Sequence, residues 1–135
     1  MRDVEQQIQK EIMRLQYIAQ RSPELSATRV VRGTRKFSGQ AKNNTRMAIN
    51  RVDTSVKLVP NYVRNAIADP DGQRARVFNR VSKSIRLGDT INISNNLDYV
   101  ESLEFEFGDL MFSRAVASWP VDVRQAVSEA SRRFS

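Results

Sequence analysis

Two clusters of opposite charge hold the side chains best placed to do chemistry. Glu101, Glu104, Glu106 and Asp109 crowd carboxylates into one short stretch, while Arg29, Arg32, Arg35, Lys36 and Lys42 crowd cations into another. Carboxylate oxygens hold hard divalent cations, but these acids lack the dense spacing of a calcium loop, so a solvated edge or a subunit contact is the expected use. Lys and Arg neutralise phosphates, which is the source of non-specific nucleic-acid affinity. Few aromatics interleave with the cations here, and neither a helix-turn-helix nor an RNA-recognition signature is present.

The chain of 135 residues contains no cysteine and no histidine. That removes disulfides, thiolate nucleophiles, imidazole acid-base catalysis and nearly every zinc, copper or haem site. Carboxylates with a hard cation, or Ser/Lys and Tyr chemistry, are all that remain, and no convergent set of them is visible in the spacing. The expectation is a protein that is not an enzyme, with no catalytic residues, no cofactor and no metal.

The formal charge of +7 is unevenly spread. Residues 21 to 51 hold eight Lys or Arg against Glu24 alone, whereas residues 88 to 111 hold six acids and no base. One reading is two solvated faces of opposite sign. The other is self-complementarity, in which the basic flank of one copy meets the acidic flank of the next.

These clusters need elements to position them, and one domain suffices at this length. Val4, Ile8, Ile12, Leu15 and Ala19 recur at helical spacing, so an amphipathic helix is expected from residue 2 to 21. Ser22-Pro23 is expected to end it, because the residue before proline avoids helical backbone and the ring has no N–H. Ser22 then caps a second helix, with Leu25, Ala27, Val30, Val31 and Thr34 on its buried side. In 45–51 the apolar Met47 and Ile49 alternate with polar or small residues as a half-buried strand, and 53–70 reads as a long loop with one helical turn near Tyr62.

Asp69-Pro70-Asp71-Gly72 is a turn from which Asp71 starts the next helix. That helix buries Val77, Phe78, Val81 and Ile85 and shows Arg74, Arg76, Arg80, Lys83 and Arg86 to the other side, closing at Gly88. Thr90 to Ser94 is a short strand, and Asn95-Asn96 a turn explained by the tolerance of Asn for left-handed backbone. Leu97, Val100 and Leu103 fit a brief helix handing over to the alternating Phe105-Glu106-Phe107. Tyr99, Phe105, Phe107 and Phe112 are expected in the core. Ser118 caps a final helix through Val123, Ala126, Val127, Ala130 and Phe134, for which Trp119 is a packing anchor. The sum is a single α+β domain: about four helices packing a small antiparallel sheet, with no repeat. No apolar run reaches the ~18 residues of a membrane span, and the polar, acidic first residues predict no signal peptide.

The run Leu87 to Glu104, in which a strand enters Asn95-Asn96, then Tyr99, then Leu103-Glu104, resembles the neck and tail-completion proteins of tailed bacteriophages. Val30-Val31-Arg32-Gly33-Thr34 followed by Gly39 to Asn44 is similar to that family's helix, corner and entry into the first strand. The likeness spans roughly residues 25 to 130. Phe37-Ser38-Gly39 stands where the family has Asp-Thr-Gly, Thr45 where it commonly has Trp, and Asp109 to Arg114 where many members have Gln-Ala-Pro and Gly-Met.

The resemblance implies a virion protein of the head-tail junction, put together in the host cytoplasm. It would form a ring of six or twelve copies with itself, contact portal, connector-adaptor and tail proteins, and surround the genomic DNA, with no membrane involved. Arg29, Arg32, Arg35, Lys36, Lys42, Glu101, Glu104, Glu106 and Asp109 are the expected interface residues. Reversing Glu101 and Glu104 to Lys is then expected to block incorporation into particles and leave the fold intact. The competing expectation is a small basic nucleic-acid-binding protein.

Overall fold

The long helix α1 (Arg2–Gly33) organises the chain, and α6 (Trp119–Arg133), α3 (Pro70–Ser82) and α5 (Met111–Ala117) pack against it. The computed structural model describes residues 2–35, 39–58 and 67–135. Three short helices or strands complete the first and middle parts: α2 (Gln40–Asn43), β1 (Arg46–Ile49) and β2 (Ile91–Ser94). The short α4 (Val100–Phe105) precedes α5. The fold is α+β, with six helices among the described residues around one two-stranded sheet. Of the expected loop 53–70, residues 59–66, with Pro60 and Tyr62, lie outside the described residues, as do Lys36, Phe37 and Ser38.

β1 and β2 pair antiparallel, with Met47 opposite Ile93 and Ile49 opposite Ile91. Successive strand side chains alternate faces, so the register puts Met47 and Ile93 beside Ala27, Val31 and Phe78 in one core cluster. A second cluster joins Val30, Ala41, Leu97, Val100, Met111 and Ala115. Val30 and Val31 are adjacent on α1, and so one helix serves both clusters.

The sheet is tied to the end of α3 by Asp89, whose carboxylate accepts from Arg86 N at 2.7 Å and Asn50 Nδ2 at 2.9 Å. The hydrogen bond from the Arg86 amide, then that from Asn50, holds this carboxyl below its ordinary range.

Several local expectations are corrected. Pro23 does not divide two helices, since α1 runs through it. A mid-helix proline forfeits one backbone bond and clashes with the preceding turn at about 3 kcal/mol. The face that α1 buries on α3, α5 and α6 offsets that cost, and the buried Ser22 hydroxyl, with no hydrogen-bond partner among the described residues, caps no helix. Asp69, not Asp71, caps α3: its side chain accepts from Gly72 N. Asn95 and Asn96 do not use left-handed backbone. They act through their amides, Asn95 Nδ2 donating to Ala41 O at 2.7 Å and Asn96 Nδ2 to Asp53 O at 3.3 Å.

Arg74 is buried rather than turned to the outer side of α3. It donates to Thr45 O at 2.8 Å and lies 5.3 Å from the Phe78 ring centroid. Burial, with nearby Arg46, pushes its guanidinium down to about 10.

The aromatics around α4 are corrected as well. Phe105 and Phe107 are 68% and 59% exposed, Tyr99 is exposed too, and 105–107 form no strand. A six-residue helix has room to bury only one stripe, and α4 spends it on Val100 and Glu104.

Gly39 is one position where backbone conformation decides the residue. Its φ is +85°, and an added Cβ would stand 3.1 Å from Ile67 Cβ and 3.3 Å from Pro70 Cγ. Strain and crowding act together there, so Gly39→Ala is expected to lose about 1–3 kcal/mol. Urea unfolding of the two proteins checks this, and an unchanged midpoint would contradict it.

Candidate binding groove

On α1 the positions 21, 28, 29 and 32 share one side, since three- and four-residue steps return to the same face. That side, with α5 and the start of α6, walls a groove of about 710 Å³ whose lining includes Arg21, Arg29, Arg32 and Arg114. Two of these arginines are held by acids of the same chain. Arg29 donates to Asp122 through Nη2 at 2.7 Å and Nε at 3.3 Å. Arg21 donates to Glu24 at 2.9 Å and to Glu129 at 3.1 Å.

Electrostatics follow the pairing. The hydrogen bond that Arg29 donates to Asp122 is the largest influence on its guanidinium and raises it above its ordinary value. Burial opposes the charge on Arg21, yet the hydrogen bond to Glu129 and the charges of Glu24 and Glu129 outweigh it and raise it too.

Arg32 and Arg114 have no hydrogen-bond or ion-pair partner among the described residues, and both are exposed. The groove therefore offers two unspent guanidinium groups beside two that are fixed in place. Guanidinium groups bind carboxylates and phosphates through paired N–H donors, so an anionic side chain or a phosphate is the chemistry this surface accepts.

Of the expected interface residues, Arg29 and Arg32 lie together in the groove. Arg35 does not join them. Its backbone N–H and Nη2 both donate to Asp109, at 3.1 and 3.0 Å, and its guanidinium covers the Phe107 ring at 5.3 Å. The basic and acidic stretches thus meet inside one chain at this point, and part of the expected complementarity between copies is spent internally.

Lys42 is buried, donating to Val31 O at 2.9 Å and Asp71 at 2.8 Å, so it ties the end of α1 to α3 and offers no edge. Lys36 lies outside the described residues.

Glu104 is a further correction. It is buried, and its carboxylate accepts from Phe112 N at 2.7 Å, Ser113 N at 3.2 Å and Ser113 Oγ at 2.8 Å. The first-turn amides of α5 lack partners within the helix, and this acid satisfies them from a distance. Glu101 and Glu106, with Asp98, remain exposed and have no partner among the described residues.

No family model matches the chain, and neither does any curated protein or solved structure. The groove must therefore be read from its own residues.

Arg21, Arg114 and Asp122 are groove residues that spacing alone missed. Met111 and Ala115 are one turn apart and both buried, which is the helical signal that would have placed Arg114 on the neighbouring face. Among the described residues no group of three or more Asp, Glu, His or Cys side chains converges as a metal site requires, and no helix is long and apolar enough to cross a membrane.

Asp122 anchors the groove wall. Asp122→Ala removes a buried acceptor, but Arg29 is part-exposed and turns to water once released. The expected loss is therefore about 1.5–3 kcal/mol rather than the full cost of a stranded buried charge. Chemical denaturation measures it, and a loss below ~0.5 kcal/mol would mean the pair is not formed in solution.

Proposed function

We propose that the chain is a non-enzymatic structural subunit of a bacteriophage virion, joining connector to tail in a ring around the DNA channel at the head-tail neck. One observation carries the reading. After internal pairing has consumed Arg29, Arg35, Lys42, Glu104 and Asp109, the groove keeps Arg32 and Arg114 while the α4 edge keeps Asp98, Glu101 and Glu106. The two sets make no ion pair with each other within the chain, so the acidic edge of one copy can fill the basic groove of the next. A head-to-tail contact of that kind builds a ring where the rotation from copy to copy closes on itself. The resemblance of residues 87–104 to neck and tail-completion proteins, and the lack of cysteine and histidine, support the same role.

A second reading, a small basic nucleic-acid-binding protein, draws on Arg76, Arg80 and Lys83, which are exposed at one-turn spacing along α3. Titrating the purified chain with duplex DNA at two salt concentrations, beside sizing it alone and with the portal and tail proteins of its own genome, separates the two. The neck reading expects a higher-order complex with those neighbours and weak DNA affinity. Tight DNA binding that falls steeply with salt, with no association to neighbours, would replace it with the second reading.

A further inference from the structure

The first half of α1 carries an apolar stripe that none of the other described residues covers. Val4, Ile8 and Leu15 are 55%, 53% and 52% exposed, and Ile12 is exposed as well. With Ala19 and Pro23 they step along the helix by 4, 4, 3, 4 and 4 residues. At about 100° per residue the six positions stay within a band roughly 100° wide, and the 11-residue repeat keeps that band nearly straight along the axis.

The order of the steps is the same read from either end. A second α1 laid antiparallel, with its residue 27 − n level with residue n, therefore matches every apolar position: Val4 with Pro23, Ile8 with Ala19, and Ile12 with Leu15. Pro23 is itself buried, so the stripe's far end is reached only through the opening above it. Pro23 lines an apolar groove of about 290 Å³ with Ile91, Ile93, Val116 and Trp119, of which Val116 and Trp119 are exposed. The antiparallel register brings the tip of each helix to that groove on the other copy.

Charge favours a second copy over other occupants. Within residues 2–15, Arg2, Lys10 and Arg14 balance Asp3, Glu5 and Glu11, although the whole chain is at +7. A membrane-surface helix carries a basic polar face, and so does a helix that tracks phosphates; this one is neutral. Glu11, at the edge of the stripe near its middle, is already paired within its own copy to Arg14 at 2.6 Å, and Arg14 also donates to Phe134 O at 3.0 Å, so no unpaired charge stands at the centre of the contact.

We infer that two copies of the chain pair antiparallel through the N-terminal half of α1, each placing its helix tip in the other's Pro23–Trp119 groove. The contact is isologous and closes on itself. It uses a different surface from the arginine groove and does not rest on the virion role.

Sedimentation equilibrium of the full chain tests the pairing, and cysteine cross-linking tests its direction, because the chain has no thiol of its own. The expected result is a dimer for the parent. Ile8→Glu is expected to raise the dimer dissociation constant about 100-fold or more with an unchanged circular dichroism spectrum, since two charges would be buried per dimer. The double variant Ile8→Cys with Ala19→Cys is expected to give a covalent dimer on mild oxidation. Val4→Cys alone is not, because its two thiols would lie about 28 Å apart along the axis. A parent that stays monomeric, a dimer indifferent to Ile8→Glu, or ready cross-linking of Val4→Cys would each overturn the proposal. Because neither arm involves virion proteins, its failure leaves the neck reading standing, and the reverse holds.

Discussion

Glu104→Lys is expected to lower stability by about 4 kcal/mol, a large part of the ~5–15 kcal/mol that holds a domain of this size folded. The wild-type carboxylate is buried and accepts three hydrogen bonds at the start of α5. Lysine cannot accept any of them, leaves two backbone amides unsatisfied, and puts a cation beside the positive end of a helix. In a thermal melt the midpoint is expected to fall by about 15 °C. Glu101→Lys, one turn earlier on α4 but exposed and unpaired, is expected to stay within about 0.5 kcal/mol of the parent. The contrast also revises the reversal of Glu101 and Glu104 together. Such a double variant would fail by unfolding, whatever its effect on assembly. A Glu104→Lys protein that melts within a few degrees of the parent would show that the carboxylate is not capping α5.

The informative charge reversals are those that leave the fold alone. Arg32→Glu with Arg114→Glu is expected to weaken association between copies by about 100-fold or more, because it sets acids in the groove against Asp98, Glu101 and Glu106 of the neighbour. Both arginines are exposed and unpaired, so stability changes by at most about 1 kcal/mol, the share Arg32 draws from the end of the α1 dipole. Glu101→Lys with Glu106→Lys is expected to be equally deficient. Combining all four reversals in one chain is expected to restore assembly, since each contact then meets its opposite again. Incorporation into particles, scored for each double variant and for the quadruple one, measures this. Normal incorporation of either double variant, or no recovery in the quadruple, would contradict the proposed contact.

How much of this was legible in the sequence depended on whether the signal was local. Met47 and Ile49 alternate with their neighbours and do form β1; Gly88 does take the left-handed position, with φ +93°. Ala126 and Ala130 do face the core from α6. Period and turn chemistry act over a few residues, and so a single chain displays them.

Where a distant partner decides, spacing was silent. Pro23 reads as a break until α3, α5 and α6 are known to hold the helix on both sides of it. Arg74 reads as an outer-face cation until Thr45 O and Phe78 are seen beneath it. Glu104 looks like one more acid on an edge, because the amides it satisfies come eight and nine residues later.

The candidate site shows the same division. Arg29 and Arg32 are visible as members of a basic run. Which cations are spent and which are free is set by Asp122, Asp109 and Asp71, none of which is their neighbour in sequence. Arg114 enters the groove only once Met111 and Ala115 fix the face of α5.

We propose that this chain is a ring subunit where head meets tail. Electron microscopy of particles produced by the genome that encodes it is the decisive test of that role. The expected result is ring density at the neck into which α1, the two-stranded sheet and α6 fit as one body, with the α4 edge of each copy against the Arg32 and Arg114 groove of the next. Particles whose neck is complete without this chain, or a genome that encodes no capsid and tail at all, would contradict it.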